Sequence, residues 1–127
     1  PTFYYATCPR LTGAISTLES SGLMGQMNER LQNDNDLAGR YKAAHLDYEA
    51  ARSALAKQEN INVPELAGVT AGGMPDRVKC LLSLIAHSLA AGFDVNPLGD
   101  EALIALDNWW LTKPCSEISN LIDGQSN

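Results

Sequence analysis

One stripe of polar residues carries the side chains best suited to chemistry. Asp76, Ser83 and His87 fall at intervals that bring them to one face of a helix, and their types match an acid, a nucleophile and a base. A single helix face cannot orient a nucleophile against a base and also supply an oxyanion hole. We therefore predict that the protein is not an enzyme.

Cys80 adjoins this polar stripe. Arg77 and Lys79 precede it, and nearby cations favour the thiolate form of a cysteine. The thiol is either a reactive group or tether at the edge of a groove, or an inert side chain packed in the core. Because a ligand could attach only here, Cys80, Ser83 and His87 are the candidate cofactor-binding residues.

Two other segments suggest binding motifs but lack essential residues. Gly72 and Gly73 precede a predicted helix, but the lysine and hydroxyl residue of a phosphate-binding loop are missing, so a hinge is the better interpretation. Residues 33–36 are Asn-Asp-Asn-Asp without the alternating oxygen ligands and closing glutamate of a calcium loop. They predict a turn and a helix cap, and we expect no metal site.

The element that would position the polar stripe is a helix over residues 74–92. Pro75 suits the first helical position, and Gly92 suits the position just past the end. Its apolar residues, including an inward Leu89, cover most of the surface, which is typical of a buried central helix.

The longest predicted helix runs from Leu37 to Glu59. A heptad-like seam lies along it for packing against neighbouring helices, formed by Leu37, Tyr41, Ala44, Tyr48, Ala51 and Leu55. His45 is expected near the exposed side. We take Tyr41, Tyr48 and Trp109 as candidate interface residues, Trp109 because its neighbour Trp110 occupies the core-facing direction.

The remaining pattern predicts one all-α domain over residues 1–127, an irregular bundle of five to six helices. Residues 1–8 read as an irregular arm and residues 60–73 as a loop. Further helices are expected from Pro9, around residues 24–32, over residues 98–111 and from residue 114 or 116 to Gly124.

The charge and hydropathy of the chain argue against two classes of protein, those that bind nucleic acid and those that span a membrane. The net charge is −6 without a basic cluster, which argues against nucleic-acid binding. No apolar run reaches the roughly 20 residues of a membrane span, and the amino end has no signal-peptide pattern.

The three widely spaced cysteines do not form the pattern of a disulfide framework, although Cys8 and Cys115 could pair in an oxidising compartment. We expect a cytoplasmic protein.

Three segments, in order, resemble a known family. They are Leu11–Ser16 with Glu19-Ser20 and Gly22, then Gly39–Lys42 with Glu49–Arg52, and finally Ser88–Gly92 with Pro97-Leu98, Asp100-Glu101 and Leu103-Ile104. Together they are similar to the phycobiliproteins, the light-harvesting subunits of phycobilisomes.

The resemblance implies a globin-like helical fold and pairing with a homologous or identical subunit. It also implies a linear tetrapyrrole (bilin) as the candidate cofactor, with Cys80 as its attachment point. The alternative is a cofactor-free helical interaction or assembly protein of unrelated origin. Fold kinship and pairing are implied more strongly than the pigment, because no acid follows Cys80 where the family has one.

Overall fold

The computed structural model describes residues 4–62 and 64–106. Within them the chain is all-α, as predicted, with five helices, one short 3-10 turn at Pro64–Leu66 and no strand. The helices are α1 (Pro9–Glu19), α2 (Leu23–Asn33), α3 (Asn35–Gln58), α4 (Leu81–Ala91) and α5 (Pro97–Ala105). One cluster of buried apolar side chains draws on all five. Helix α4 packs mainly on α5, while α3 contacts α2 and α5, and α1 contacts α2 and α4.

The amino-terminal helices begin and end close to their predicted positions. Pro9 opens α1, and Gly22, with φ of 87°, separates α1 from α2. The Asp34 carboxylate accepts a hydrogen bond from the Leu37 N–H at 3.1 Å and so caps α3. One residue of the polar run, Asp34, therefore caps the helix, as predicted. None of the described helices is long and apolar enough to cross a membrane.

The seam along α3 is core over its first half only. Leu37, Tyr41, Ala44 and Tyr48 are buried, but Leu55 is 44% exposed. The last turns of α3 therefore extend beyond the bundle, and the expectation that Leu55 packs inward is wrong.

Helix α4 is shorter than predicted. It ends before Gly92, whose φ is 91°, as the sequence indicates, but it begins at Leu81 rather than at Pro75. The expectation for Leu89 is also wrong, because its side chain is 50% exposed. What replaces the predicted amino-terminal turns is described below.

Helix α5 begins as the sequence predicts. The Asn96 side-chain oxygen accepts a hydrogen bond from the Gly99 N–H at 3.0 Å, and Pro97 occupies the first turn. A Cβ on Gly99 would overlap the Leu84 carbonyl oxygen and the Ser88 hydroxyl, so this glycine lets α5 approach α4 closely. The predictions for Trp109 and for a last helix fall outside the described residues.

Candidate functional site

The segment before α4 is an irregular loop, not a helix. We call residues 70–80 the glycine loop. Gly72 and Gly73 have φ of 69° and 96°, which other residues rarely adopt. The Lys79 N–H donates to the Gly72 carbonyl at 2.7 Å, and the Arg77 N–H donates to the Gly73 carbonyl at 3.1 Å. These turns replace the helix predicted from Pro75, which follows a cis peptide bond.

Side chains from distant helices hold the backbone of this loop. The Asn28 amide donates to the Val78 carbonyl at 3.0 Å and accepts from the Val78 N–H at 2.7 Å. The Tyr41 hydroxyl donates to the Arg77 carbonyl at 2.8 Å. Burial raises the pKa of the Tyr41 hydroxyl well above its ordinary value of 10.0. Helices α2 and α3 therefore satisfy backbone groups that a helix would have satisfied internally.

Both ends of the glycine loop are also tied to the bundle. The ring of His45 shares a hydrogen bond of 2.9 Å between its Nδ1 and the Thr70 hydroxyl, and both residues are buried. The Leu81 N–H donates to a Glu19 carboxylate oxygen at 2.9 Å. The expectation that His45 lies near the exposed side is wrong, since Thr70 gives the ring a partner in the interior.

The outer side of the glycine loop carries charge. Met74 and Val78 are buried, whereas Asp76, Arg77 and Lys79 are exposed. Residues 77–79 thus alternate outward, inward and outward, with the Asn28 contact at the inward position. The result is a fixed backbone that presents two basic side chains to solvent.

His87 lies in a separate buried cluster between α3, α4 and α5. Its ring is fully buried, and its Nε2 is 2.9 Å from a carboxylate oxygen of Asp47. Its Nδ1 is 3.2 Å from the Asn96 amide nitrogen. Because the Asn96 oxygen accepts the Gly99 N–H, the amide nitrogen must face His87. His87 therefore accepts at Nδ1 and donates from Nε2 to Asp47.

Two tyrosine rings enclose this histidine. Tyr4 stacks on His87 with ring centroids 5.8 Å apart, and Tyr48 meets it edge-on at 5.2 Å. Burial, followed by the charge of Asp47, raises the pKa of Tyr4. With both ring nitrogens engaged and no exposed surface, His87 joins helices together and has no free nitrogen for a substrate or a metal.

The structure brings together two of the three residues predicted to bind a cofactor, Cys80 and Ser83, and places His87 in a different cluster. Cys80 immediately precedes α4 and is a free, partly buried thiol that accepts a hydrogen bond from the Ser83 hydroxyl at 3.6 Å. Ser83 itself is buried. His87 is engaged with Asp47 and Asn96 instead. Of the predicted polar stripe, Ser83 and His87 make internal contacts, whereas Asp76 lies exposed on the glycine loop. Cys8 is disulfide-bonded, and Cys115 lies outside the described residues.

The predicted interface residues also differ from expectation. Tyr41 and Tyr48 are fully buried in the core of this chain, because the seam of α3 faces the other helices of the same molecule. Neither ring offers surface to a second subunit. Trp109 is outside the described residues. The glycine loop escaped prediction because its partners lie tens of residues away, although the Gly72-Gly73 pair marked a break there.

A match to a known protein-family model shows which family the chain belongs to. A model for a protein of unknown function, DUF501, matches residues 1–104. The chain belongs to the DUF501 family. The resemblance to phycobiliproteins is therefore wrong, since its short matches consist largely of residues common in any helical protein. No curated protein and no solved structure matches the chain.

The DUF501 match covers every element of the candidate site. The glycine loop, the His87 cluster and the start of α5 all lie within residues 1–104. The site is therefore contained in the portion of the chain that defines its family membership.

Proposed function

We propose that this DUF501 protein is a cofactor-free, non-catalytic helical protein that pairs with an identical or closely related chain through the outer side of the glycine loop. The observation that supports the proposal is the bracing of this loop. Side chains of Asn28, Tyr41 and His45 hydrogen-bond to it from two helices, while Arg77 and Lys79 stay exposed. Irregular segments held by a rigid scaffold are common recognition elements.

The charge of the chain favours a second copy as the partner. The chain carries 15 acidic and 9 basic residues, which gives a net charge of −6. Arg77 and Lys79 lie close together in sequence on the outer side of the loop. Two copies can therefore match the basic side chains of one with carboxylates of the other, which favours encounter and fixes orientation.

The arrangement of the reactive side chains supports a non-catalytic role. His87 is fully buried and uses both ring nitrogens. The Cys80 sulfur accepts a hydrogen bond from Ser83 and has no histidine among its described hydrogen-bond partners. An activated nucleophile needs a base within hydrogen-bond reach.

Sedimentation velocity of the intact protein at increasing concentration and salt tests this proposal. We expect a dimer that weakens as salt rises, because exposed ion pairs are screened over roughly 8 Å at physiological ionic strength. Arg77→Glu and Lys79→Glu should each weaken the dimer. Lys57→Glu makes the same change of charge on the exposed end of α3 and serves as the control.

A wild-type protein that stays monomeric at every concentration would contradict the pairing. Equal weakening of the dimer by Lys57→Glu and Arg77→Glu would contradict the loop as the contact and leave only a general charge effect.

The cytoplasmic location stays a prediction, which imaging of the tagged intact protein would check.

A further inference from the structure

The start of α1 carries a covalent bond that the proposed pairing does not use. The chain has three cysteines, Cys8, Cys80 and Cys115. Cys8 is the N-cap residue of α1 and is disulfide-bonded, whereas Cys80 is a free thiol. A disulfide within the chain therefore leaves Cys115 as the partner of Cys8.

An apolar groove lies beside Cys8. It encloses about 360 Å³ between the arm that precedes α1 and the last turns of α4. None of the described residues that line it carries a charge. Leu89 of α4 is 50% exposed and Tyr5 of the arm is 73% exposed, so much of the apolar lining is open to a further segment. The groove therefore fits an apolar occupant.

The residues that follow Cys115 have the pattern that this groove requires. In the last predicted helix, Ile118 and Ile122 follow Cys115 by three and seven positions, which brings all three to one face. Leu121 widens that face, whereas Glu117 falls on the opposite one. A disulfide from Cys115 therefore turns the apolar face of this segment, rather than its charged face, toward the groove.

The chain between α5 and Cys115 is long enough to reach the groove. Helix α5 packs on α4, whose last turns line the groove. Nine residue steps separate Leu106, the last described residue, from Cys115, and they span up to about 30 Å. Helix α4 has 11 residues and is about 16 Å long, so the segment can reach Cys8 from either end of α4.

We propose that residues 115–122 dock in this groove and are tethered there by a disulfide between Cys8 and Cys115. The bond forms by exchange with a low-molecular-weight disulfide. The thiolate of one cysteine attacks that disulfide and releases a small thiol. The second cysteine then displaces the other small thiol, so the two cysteines are oxidised and their two protons leave on the two small thiols.

The docking does not depend on pairing through the glycine loop. No described lining residue of the groove belongs to residues 70–80. Sedimentation velocity measures the pairing, whereas the experiments below measure the disulfide, so either proposal can fail without the other. Disulfides are rare in a reducing cytoplasm, and the equilibrium of this bond with glutathione decides whether it persists there.

Peptide mapping of the intact protein without reductant tests the disulfide. The protein is equilibrated in a buffer of oxidised and reduced glutathione, and its remaining thiols are alkylated before digestion. Trypsin alone leaves Cys80 and Cys115 on one peptide, because the bond between Lys113 and Pro114 resists it. Endoproteinase Glu-C, which cleaves after Glu101, separates the two cysteines.

We expect one pair of linked peptides, which carries Cys8 and Cys115 and comes apart on reduction. Alkylation should be confined to Cys80, the free thiol of the structure. This mapping uses the wild-type protein, so it does not depend on the folding of a variant.

The equilibrium with glutathione tests the docking. Contacts between the segment and the groove raise the effective concentration of one thiol at the other, so they increase the equilibrium constant for disulfide formation. Leu89→Ser removes apolar surface from the groove and should lower this constant about fivefold. Leu46→Ser makes the same change on α3, at a side chain that is 53% exposed and outside the groove, and should leave the constant unchanged.

Three results would overturn the proposal. A disulfide from Cys8 to Cys80 or to a second chain would contradict the pairing of the cysteines. Alkylation of all three cysteines in a buffer of oxidised glutathione would contradict the disulfide itself. Equal constants for Leu89→Ser and Leu46→Ser would contradict the docking, because the disulfide would then be a tether without contacts in the groove.

Discussion

Two consecutive loops of this protein are held in different ways. The surface loop, residues 59–62 and 64–69, is largely exposed, and charged side chains of α3 hold it. Arg52 donates to the carbonyls of Leu66, at 2.9 Å, and Val69, while Glu49 accepts the Gly68 N–H. The glycine loop buries residues along its length and is held largely by neutral side chains from two helices.

The two kinds of contact differ in how strongly they stabilise the loop that they hold. Exposed charged contacts compete with water and salt, and they contribute little to stability. Buried neutral contacts such as Asn28 to Val78 are costly to break, because each lost partner leaves a polar group unsatisfied. We therefore expect the glycine loop to be as rigid as a helix and the surface loop to be dispensable for stability.

The largest expected effect comes from substituting one glycine in each loop. Gly73 has φ of 96°, and a Cβ there would lie 2.6 Å from the Arg77 carbonyl oxygen. Gly68 has φ of 77° but open space around it. Gly73→Ala should lower the free energy of unfolding by about 3 kcal/mol or more, and Gly68→Ala by about 1 kcal/mol. Urea unfolding measures both, and equal effects would contradict the contrast.

The next effect concerns the side chain that pairs with Val78. Asn28→Ala leaves the Val78 N–H and carbonyl without partners and should cost about 2–3 kcal/mol. Asn33→Ala on the same helix removes only an exposed contact to the Glu29 carbonyl and should cost less than about 0.5 kcal/mol. Thermal and urea unfolding would compare them. If Asn28→Ala lowered the free energy of unfolding no more than Asn33→Ala, water would be replacing the Asn28 side chain without cost.

A smaller effect, with a pH signature, is expected at Tyr41. Tyr41→Phe removes the donor to the Arg77 carbonyl and should cost about 1 kcal/mol at neutral pH. Burial raises the folded-state pKa of Tyr41 above the unfolded value of 10.0. Its contribution is therefore complete below pH 10 and is lost as the pH rises above it, because only the unfolded chain then ionises.

The stability difference between wild type and Tyr41→Phe should accordingly shrink above pH 10. Tyr5→Phe is the control, because that ring is 73% exposed. Urea unfolding on both sides of pH 10 measures the difference. A gap that stays constant would show that Tyr41 ionises as readily in the folded protein as in the unfolded chain.

The smallest effect is expected in the surface loop. Arg52→Ala removes the contacts to Leu66 and Val69 but should cost no more than about 1 kcal/mol, because these groups can turn to water. Urea unfolding measures it. A loss as large as that of Asn28→Ala would show that the two loops are held equally well.

Local sequence patterns predicted much of the helical framework. The cap within residues 33–36, the Gly92 end of α4 and the buried positions Leu37 to Tyr48 all depend on spacing within one or two turns.

The candidate site could not be predicted in the same way. Val78 is held by Asn28, which lies 50 residues earlier in the sequence. His45 was predicted near the exposed side and His87 at a cofactor site, because their interior partners Thr70 and Asp47 lie 25 and 40 residues away in sequence.

Amide hydrogen exchange of the intact protein tests the central claim most directly. The Val78 N–H donates to the Asn28 side chain of α2, and the Arg77 and Lys79 N–H groups donate to the Gly73 and Gly72 carbonyls within the loop. They should exchange as slowly as amides within α4 and much more slowly than those of residues 61–69. Exchange of residues 77–79 at the rate of the surface loop would contradict the claim that the glycine loop is a rigid part of the bundle.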